Sequence, residues 1–265
     1  MSLVLATDDD GAPEIFASFQ GEGPSAGRPV AFVRLSRCNL ACTWCDTAYT
    51  WRFEGDNRPH RDGATYDRKA NQATLSPAEA AQRIAALGQD RLVITGGEPL
   101  LQGGKLAAML EHFETLASPR AGGDPPDGGS RLRGSSPFVE IETNGTVKAP
   151  PRLDVRVDQY NVSPKLSHSG NPADLALIPE RLDDYATDQR AFFKFVIAEP
   201  GDVDEVLELQ RRYRFRPGHV LLMPEGTDSR ALRERQEWLG DLCLEHGFRM
   251  SDRMHIHLYG DTRGT

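Results

Sequence analysis

Three of the four cysteines in the chain fall within eight consecutive positions, Cys38, Cys42 and Cys45, with the spacing C-x3-C-x2-C. Thiols bunched in this way, in a chain too long to need a disulfide framework, read as metal ligands or redox groups. Three thiolates on one short loop can hold three corners of a [4Fe-4S] cluster and leave the fourth iron without a protein ligand. Zinc is the alternative, but a structural zinc site takes four protein ligands, usually from C-x2-C pairs. Cys243 is a poor fourth ligand. It shares a face with Leu232, Leu239 and Leu242 on a predicted helix, where a small apolar residue is core. An iron with an open position can bind a small molecule directly, by the logic of a catalytic zinc.

The elements around this loop point to an α/β fold. RPVAFVRLSR (28–37) alternates like a strand and runs into the cysteine loop, and RLVITGG (91–97) is a short buried strand ending in paired glycines. Further strand-like runs are FVEIETNG (138–145), VDQYNVSP (157–164), AFFKFVI (191–197), HVLLMPEG (219–226) and HIHLYG (255–260). Helical spacing separates several of them, over 76–87, 99–117, 202–213 and 229–247; the first opens on a capping box, Ser76 with Glu79, and Pro77 at its first position. Strands and helices in alternation predict a parallel sheet, barrel-like or doubly wound, with its site at the C-terminal ends of the strands. The cysteine loop lies at such an end. Strand alternation puts Phe32, Arg34 and Ser36 on the face of Cys38, and gathers Glu140, Glu142 and Asn144 on one face of 138–145. A charged residue on a covered sheet face must be paired, and a guanidinium matches a carboxylate.

Composition bounds the remaining possibilities. The 265 residues carry 31 basic against 39 acidic side chains, a net charge of −8, with no basic run to neutralise phosphates, so nucleic acid is not the expected partner. No stretch is apolar enough to span a membrane, and the N-terminal residues lack the pattern of a signal peptide, so a cytoplasmic protein is expected. One domain over 1–265 fits the length. Residues 52–74 read as an irregular excursion, and 118–137, loaded with Gly, Pro and Ser, as a flexible surface loop.

Cys38, Cys42 and Cys45 with Trp44 as the aromatic before the third thiol, followed by a strand ending Gly96-Gly97-Glu98-Pro99, resemble the radical S-adenosylmethionine superfamily. There the amino and carboxylate groups of S-adenosylmethionine chelate the fourth iron, and one electron releases a 5′-deoxyadenosyl radical. The resemblance narrows on Phe19-Gln20-Gly21-Glu22-Gly23, Arg34, Cys45-Asp46-Thr47, Thr95, Glu142-Thr143-Asn144-Gly145, Ser163-Pro164-Lys165, Leu222-Met223-Pro224-Glu225 and His255. Together these resemble the 7-carboxy-7-deazaguanine synthase family, which converts 6-carboxy-5,6,7,8-tetrahydropterin to 7-carboxy-7-deazaguanine with loss of ammonia on the route to queuosine. The fold implied is an incomplete parallel (β/α) barrel of about six strands, in a homodimer.

By the same resemblance Phe19, Gln20, Gly21 and Glu22 line the pterin, Arg34 grips its carboxylate, Thr95 and Glu142 contact the ring, and His255 closes the pocket. Gly97, Glu98, Ser163, Lys165 and the turn Met223, Pro224, Glu225 and Gly226 hold S-adenosylmethionine. Thr47 coordinates Mg2+, and a flavodoxin or ferredoxin supplies electrons. Without the family, Thr47, Gln20 and Ser163 read as polar loop or turn residues, and His255 with His257 as an exposed strand edge or a metal pair. Two other functions compete: a glycyl-radical-enzyme activase of the same superfamily, and a non-catalytic zinc or iron–sulfur module.

Overall fold

A computed structural model describes residues 2–116 and 137–265. The loop expected at 118–137 therefore lies outside the described residues, apart from Pro137. Ten strands form one sheet: β1 (Leu3–Ala6), β2 (Ile15–Phe19), β3 (Pro29–Leu35), β4 (Gln72–Leu75), β5 (Arg91–Gly96), β6 (Phe138–Thr143), β7 (Gln159–Val162), β8 (Ala191–Ile197), β9 (Val220–Pro224) and β10 (Arg249–Met250). The helices are α1 (Pro77–Ala86), α2 (Gly103–Leu116), α3 (Pro151–Asp154), α4 (Ala173–Ala176), α5 (Pro179–Thr187), α6 (Asp202–Tyr213), α7 (Ser229–His246) and α8 (Met254–Tyr259).

The strands β3, β5, β6, β7, β8 and β9 run parallel in that spatial order, with the two-residue β10 added beyond β9. This is the unclosed parallel sheet of about six strands that the family resemblance implies. An antiparallel wing of β1, β2 and β4 joins it at β3, a feature that strand patterning did not reveal. The capping box of α1 is present, with the Ser76 hydroxyl accepting from the Glu79 N–H and the Glu79 carboxylate accepting from the Ser76 N–H.

The two faces of the sheet differ sharply. Val33, Leu35, Leu92, Ile94, Ile141, Val162, Phe193, Phe195 and Leu222 point outward into the main apolar core. Only a small apolar cluster, Val30, Phe32 and Val93 with Phe16 against it, occupies the inner face near one end. The next inward positions are Arg34, Thr95, Glu142, Asn161 and Lys194, and all of them line a cavity. Because a strand alternates its side chains strictly, the residues that drive the outer core to form also aim this polar set inward.

Of residues 255–260, expected as a strand, 255–259 lie in helix α8 instead and Gly260 follows its end. A six-residue apolar–polar alternation fits either state when its length is too short to arbitrate. Here the Met254 N–H is taken by the Gly21 carbonyl at 2.9 Å, and Ile256 is buried. The helical turn separates the two histidines: His255 faces the cavity, whereas His257 contacts Ser229 at 2.7 Å and Asp252 at 3.1 Å.

The paired glycines let two backbones touch. A Cβ on Gly96 would stand 2.0 Å from the Leu35 carbonyl oxygen, and one on Gly97 would stand 2.2 Å from the Arg37 carbonyl oxygen and 3.0 Å from the Cys38 nitrogen. Gly97→Ala must push the start of the cysteine loop away from β5. Metal-free protein carrying it is expected to lose at least about 1–3 kcal/mol of stability in urea unfolding; an unchanged midpoint would show that the contact is dispensable.

Candidate active site

The cysteine loop leaves the C-terminal end of β3 and folds back over the ends of β5 to β7. Cys38, Cys42 and Cys45 all border one cavity of about 360 Å³. Burial pushes the Cys38 thiol up to about 12 and the Cys45 thiol up to about 11, and raises Cys42 as well. Buried thiols of this kind are held as thiolates only against a positive partner, which is what an iron cluster provides. Three thiols are one short of the four protein ligands that a structural zinc site takes. The donor set fits a cluster held at three corners. Beside it, the Trp44 indole N–H is buried with no hydrogen-bond partner, an orphaned donor on the wall where an adjoining ligand would sit.

Facing the thiols is a polar wall built by strand register. Arg34 on β3 is opposite Thr95 on β5, and Glu142 on β6 is opposite Asn161 on β7. The Thr95 hydroxyl donates to Glu142 Oε2 at 2.7 Å, and Gln20 Nε2 donates to Glu142 Oε1 at 3.1 Å and to Glu140 Oε1 at 2.7 Å. Burial, with the charge of Glu142 nearby, pushes the Glu140 carboxyl up to about 7. Arg34 does not stand alone. Its Nε donates to Glu14 Oε1 at 3.2 Å, and the other oxygen of Glu14 accepts from the Tyr49 hydroxyl at 2.8 Å. Glu14 is almost fully buried, so it fixes the guanidinium and leaves the rest of that fork toward the cavity.

A chain of paired charges, buried except at the more exposed Asp46, closes one end. Asp46 pairs with Arg253, Arg253 Nε donates to Glu22 Oε1 at 3.0 Å, and Glu22 also pairs with Lys194. Burial works against the Glu22 carboxylate, but Lys194 and Arg253 outweigh it and hold the group far below the usual carboxylate range. Burial lowers the pKa of His255, 3.9 Å from Glu22, and so favours the neutral imidazole. The C-terminal residues 260–263 and Thr265 also border the cavity, with the Arg263 guanidinium 3.7 Å above the Tyr49 ring.

Most residues singled out in the sequence share this cavity. Phe19, Gln20, Gly21 and Glu22 line it from the end of β2, with Phe19 at the mouth and 41% exposed. Thr47 lines it two residues past Cys45, its hydroxyl 3.6 Å from the Cys45 sulfur. Gly97, Ser163, Lys165 and Met223 border it on the other side, where Lys165 Nζ donates to Ser163 Oγ at 2.7 Å and stands 5.6 Å over the Trp44 ring.

Four sequence-selected residues stand back from the cavity. Glu98 is fully buried and accepts from the Leu100 N–H, the Thr143 hydroxyl and the Asn144 N–H, so it ties the end of β5 to that of β6. Glu225 is taken up by Arg61 and Arg235, the Gly226 carbonyl accepts from Arg253, and Pro224 lies behind them at the end of β9. Sequence reasoning passed over Glu14, Tyr49, Lys194 and Arg253. Of these only Lys194 had a signal, as the one charge inside the apolar run AFFKFVI.

Comparison with known proteins agrees with this geometry. Residues 19–120 match the model of a 4Fe-4S single cluster domain. The chain is 34% identical over 252 residues to the 7-carboxy-7-deazaguanine synthase of Pyrobaculum aerophilum, covering 95% of each chain. It is 30% identical to that of Halobacterium salinarum, covering 95% of this chain and 91% of the other. Among solved structures it is similar to QueE from Escherichia coli, with a TM-score of 0.63 at 23% identity, covering 96% and 95% of the two chains.

Proposed function

Because this chain belongs to the 7-carboxy-7-deazaguanine synthase family, we propose that its cavity converts 6-carboxy-5,6,7,8-tetrahydropterin to 7-carboxy-7-deazaguanine with loss of ammonia. The enzyme is of the radical S-adenosylmethionine type, with a [4Fe-4S] cluster and S-adenosylmethionine as cofactors. One observation carries the reading: the three thiols and the Arg34, Thr95, Glu142 and Gln20 wall open into the same cavity.

Cys38, Cys42 and Cys45 would hold the cluster, and Gly97, Ser163, Lys165 and Met223 would border S-adenosylmethionine, with Glu98 and the Pro224, Glu225 and Gly226 turn bracing them from behind. When bound, these two groups supply a carbon-centred radical able to remove a hydrogen from an unactivated carbon. The remaining work is positioning. Arg34, held by Glu14, offers its fork to the substrate carboxylate. Thr47 would contribute one oxygen to Mg2+, with substrate and water supplying the rest. Glu142, Thr95 and Gln20 present fixed acceptors and donors to the edge of the ring, Phe19 and Gly21 border it, and neutral His255 with Glu22 closes the end. Fixed orientation of this kind is worth several kcal/mol of barrier, up to about 7–11 in the best cases.

Residues 1–265 would form one catalytic domain, acting as a homodimer in the cytoplasm and reduced by flavodoxin or ferredoxin. Among the described residues no helix is long and apolar enough to cross a membrane.

The test is anaerobic reconstitution with iron and sulfide, followed by incubation with S-adenosylmethionine, dithionite, Mg2+ and 6-carboxytetrahydropterin. Both 5′-deoxyadenosine and the deazapurine are expected. A colourless protein that holds zinc and no iron, or turnover that depends on a protein partner, would replace this reading with one of its two competitors. Arg34→Lys keeps the charge but loses the fork, and should lower kcat/KM by roughly 10- to 100-fold, mostly through KM. An unaltered KM would move the carboxylate elsewhere.

A further inference from the structure

The excursion after the cysteine loop remains without a role in the reaction just described, yet it is firmly anchored. Arg52 is buried and donates to the carbonyls of Arg58 and Gly63 at 3.2 and 2.9 Å, and Arg61 pairs with Glu225 at 2.6 Å. At its root, Trp51 is only 5% exposed and turns its indole N–H onto the Cys45 sulfur at 3.3 Å. The excursion supplies the groups that hold this ring. The Arg58 guanidinium lies 4.8 Å over the indole, and His60 packs edge-on against it at 6.2 Å while its Nε2 donates to the Cys45 carbonyl at 2.9 Å.

A second donor reaches Cys42 from the far side of the loop. Asn171 Nδ2 is 3.3 Å from the Cys42 sulfur and 3.1 Å from Ser169 Oγ. The orientation of that amide is set by its oxygen, which accepts the Ala41 N–H at 2.8 Å and so forces the NH2 group toward the sulfur. The third sulfur, Cys38, has the Leu40 N–H at 3.4 Å. Each sulfur thus has a donor: beside the longer contacts of the Thr47 hydroxyl with Cys45 at 3.6 Å and of Asn144 Nδ2 with Cys38 at 3.9 Å, the two shortest side-chain donors, Trp51 and Asn171, are held from segments outside the C-x3-C-x2-C run.

We propose that Trp51 and Asn171 tune the cluster, setting its reduction potential by hydrogen bonding to the Cys45 and Cys42 thiolates, and that residues 52–63 serve to hold the Trp51 indole on its sulfur. Adding an electron concentrates negative charge on the sulfurs, so a donor aimed at them stabilises the reduced state more than the oxidised one. Removing a donor makes the cluster harder to reduce. The two donors act on different thiolates, so their effects should add.

This inference rests on the three thiols holding a cluster, and the experiment keeps the two apart. Wild type, Trp51→Phe, Asn171→Leu and the double variant are reconstituted, their iron is counted, and the cluster is titrated against ambient potential by electron paramagnetic resonance. At a fixed potential each single variant is expected to show a ratio of reduced to oxidised cluster up to tenfold lower, a tenfold change being about 59 mV for one electron. The double variant should show the product of the two. In the wild type, exchange into D2O should shift the iron–Sγ stretching bands in resonance Raman spectra. Potentials that do not move in fully loaded variants overturn the inference and leave the enzyme assignment standing. If a variant does not retain iron, the D2O measurement on wild type decides, and unshifted bands overturn the inference. Wild type that takes up no iron overturns the cluster reading itself.

Discussion

Cys42→Ala is expected to take the iron content from roughly four atoms per chain to less than one, and to abolish formation of both 5′-deoxyadenosine and the deazapurine. Only three protein ligands are available, and among the described residues the remaining cysteine, Cys243, is buried at the far end of α7 with its sulfur 3.7 Å from the Arg249 carbonyl. Losing one of the three leaves no other thiol nearby to replace it among the described residues. The fold should barely notice. Cys42 is a small buried residue, and alanine fills most of its volume, so the urea unfolding of metal-free protein should change by less than about 1 kcal/mol. Iron and product assayed beside unfolding thus separate a loss of cofactor from a loss of structure. Product from a variant without iron would contradict the assignment outright.

The second large effect is structural. Glu22→Gln leaves Lys194 and Arg253 buried with too little negative charge between them, since Asp46 then serves Arg253 alone. Breaking a buried pair by neutralising one member costs about 3–5 kcal/mol, and urea unfolding at neutral pH should show a loss of that size. The pH dependence has a definite sign. Because the folded protein holds the Glu22 carboxyl well below its ordinary value of 4.5, its contribution is present above that value and is lost as pH falls toward the depressed folded value. Wild type should therefore lose stability steeply between about pH 5 and 2, whereas the Gln variant should show a flatter acid limb. Parallel acid limbs for the two proteins would place the stabilising charge elsewhere.

The chemistry was legible in the sequence because its cysteines are local. C-x3-C-x2-C places three thiols within one loop whatever the rest of the chain does, and alternation along β3, β5 and β6 aims Arg34, Thr95 and Glu142 away from the apolar face. The parallel α/β character followed from the same alternation and from helical spacing between strands. Harder to read were short elements without a period of their own. β1, β2 and β4 are short strands of four or five residues, and 254–259 is a helix because Gly21 and a buried Ile256 hold it there.

By itself, then, the sequence singled out the three cysteines proposed to hold the cluster and the strands that carry the polar face, since each of these depends on neighbours in the chain or on period-two alternation, while the reaction family followed from the resemblance of its motifs. Only the tertiary structure decided what each charge is paired with. Glu14 meets Arg34 across 20 positions, Glu22 meets Arg253 across 231, and Trp51 turns back onto Cys45 through an excursion that no periodicity describes. Such contacts are selected by the cost of burying an unpaired charge or donor. That cost arises only once the chain has closed around them.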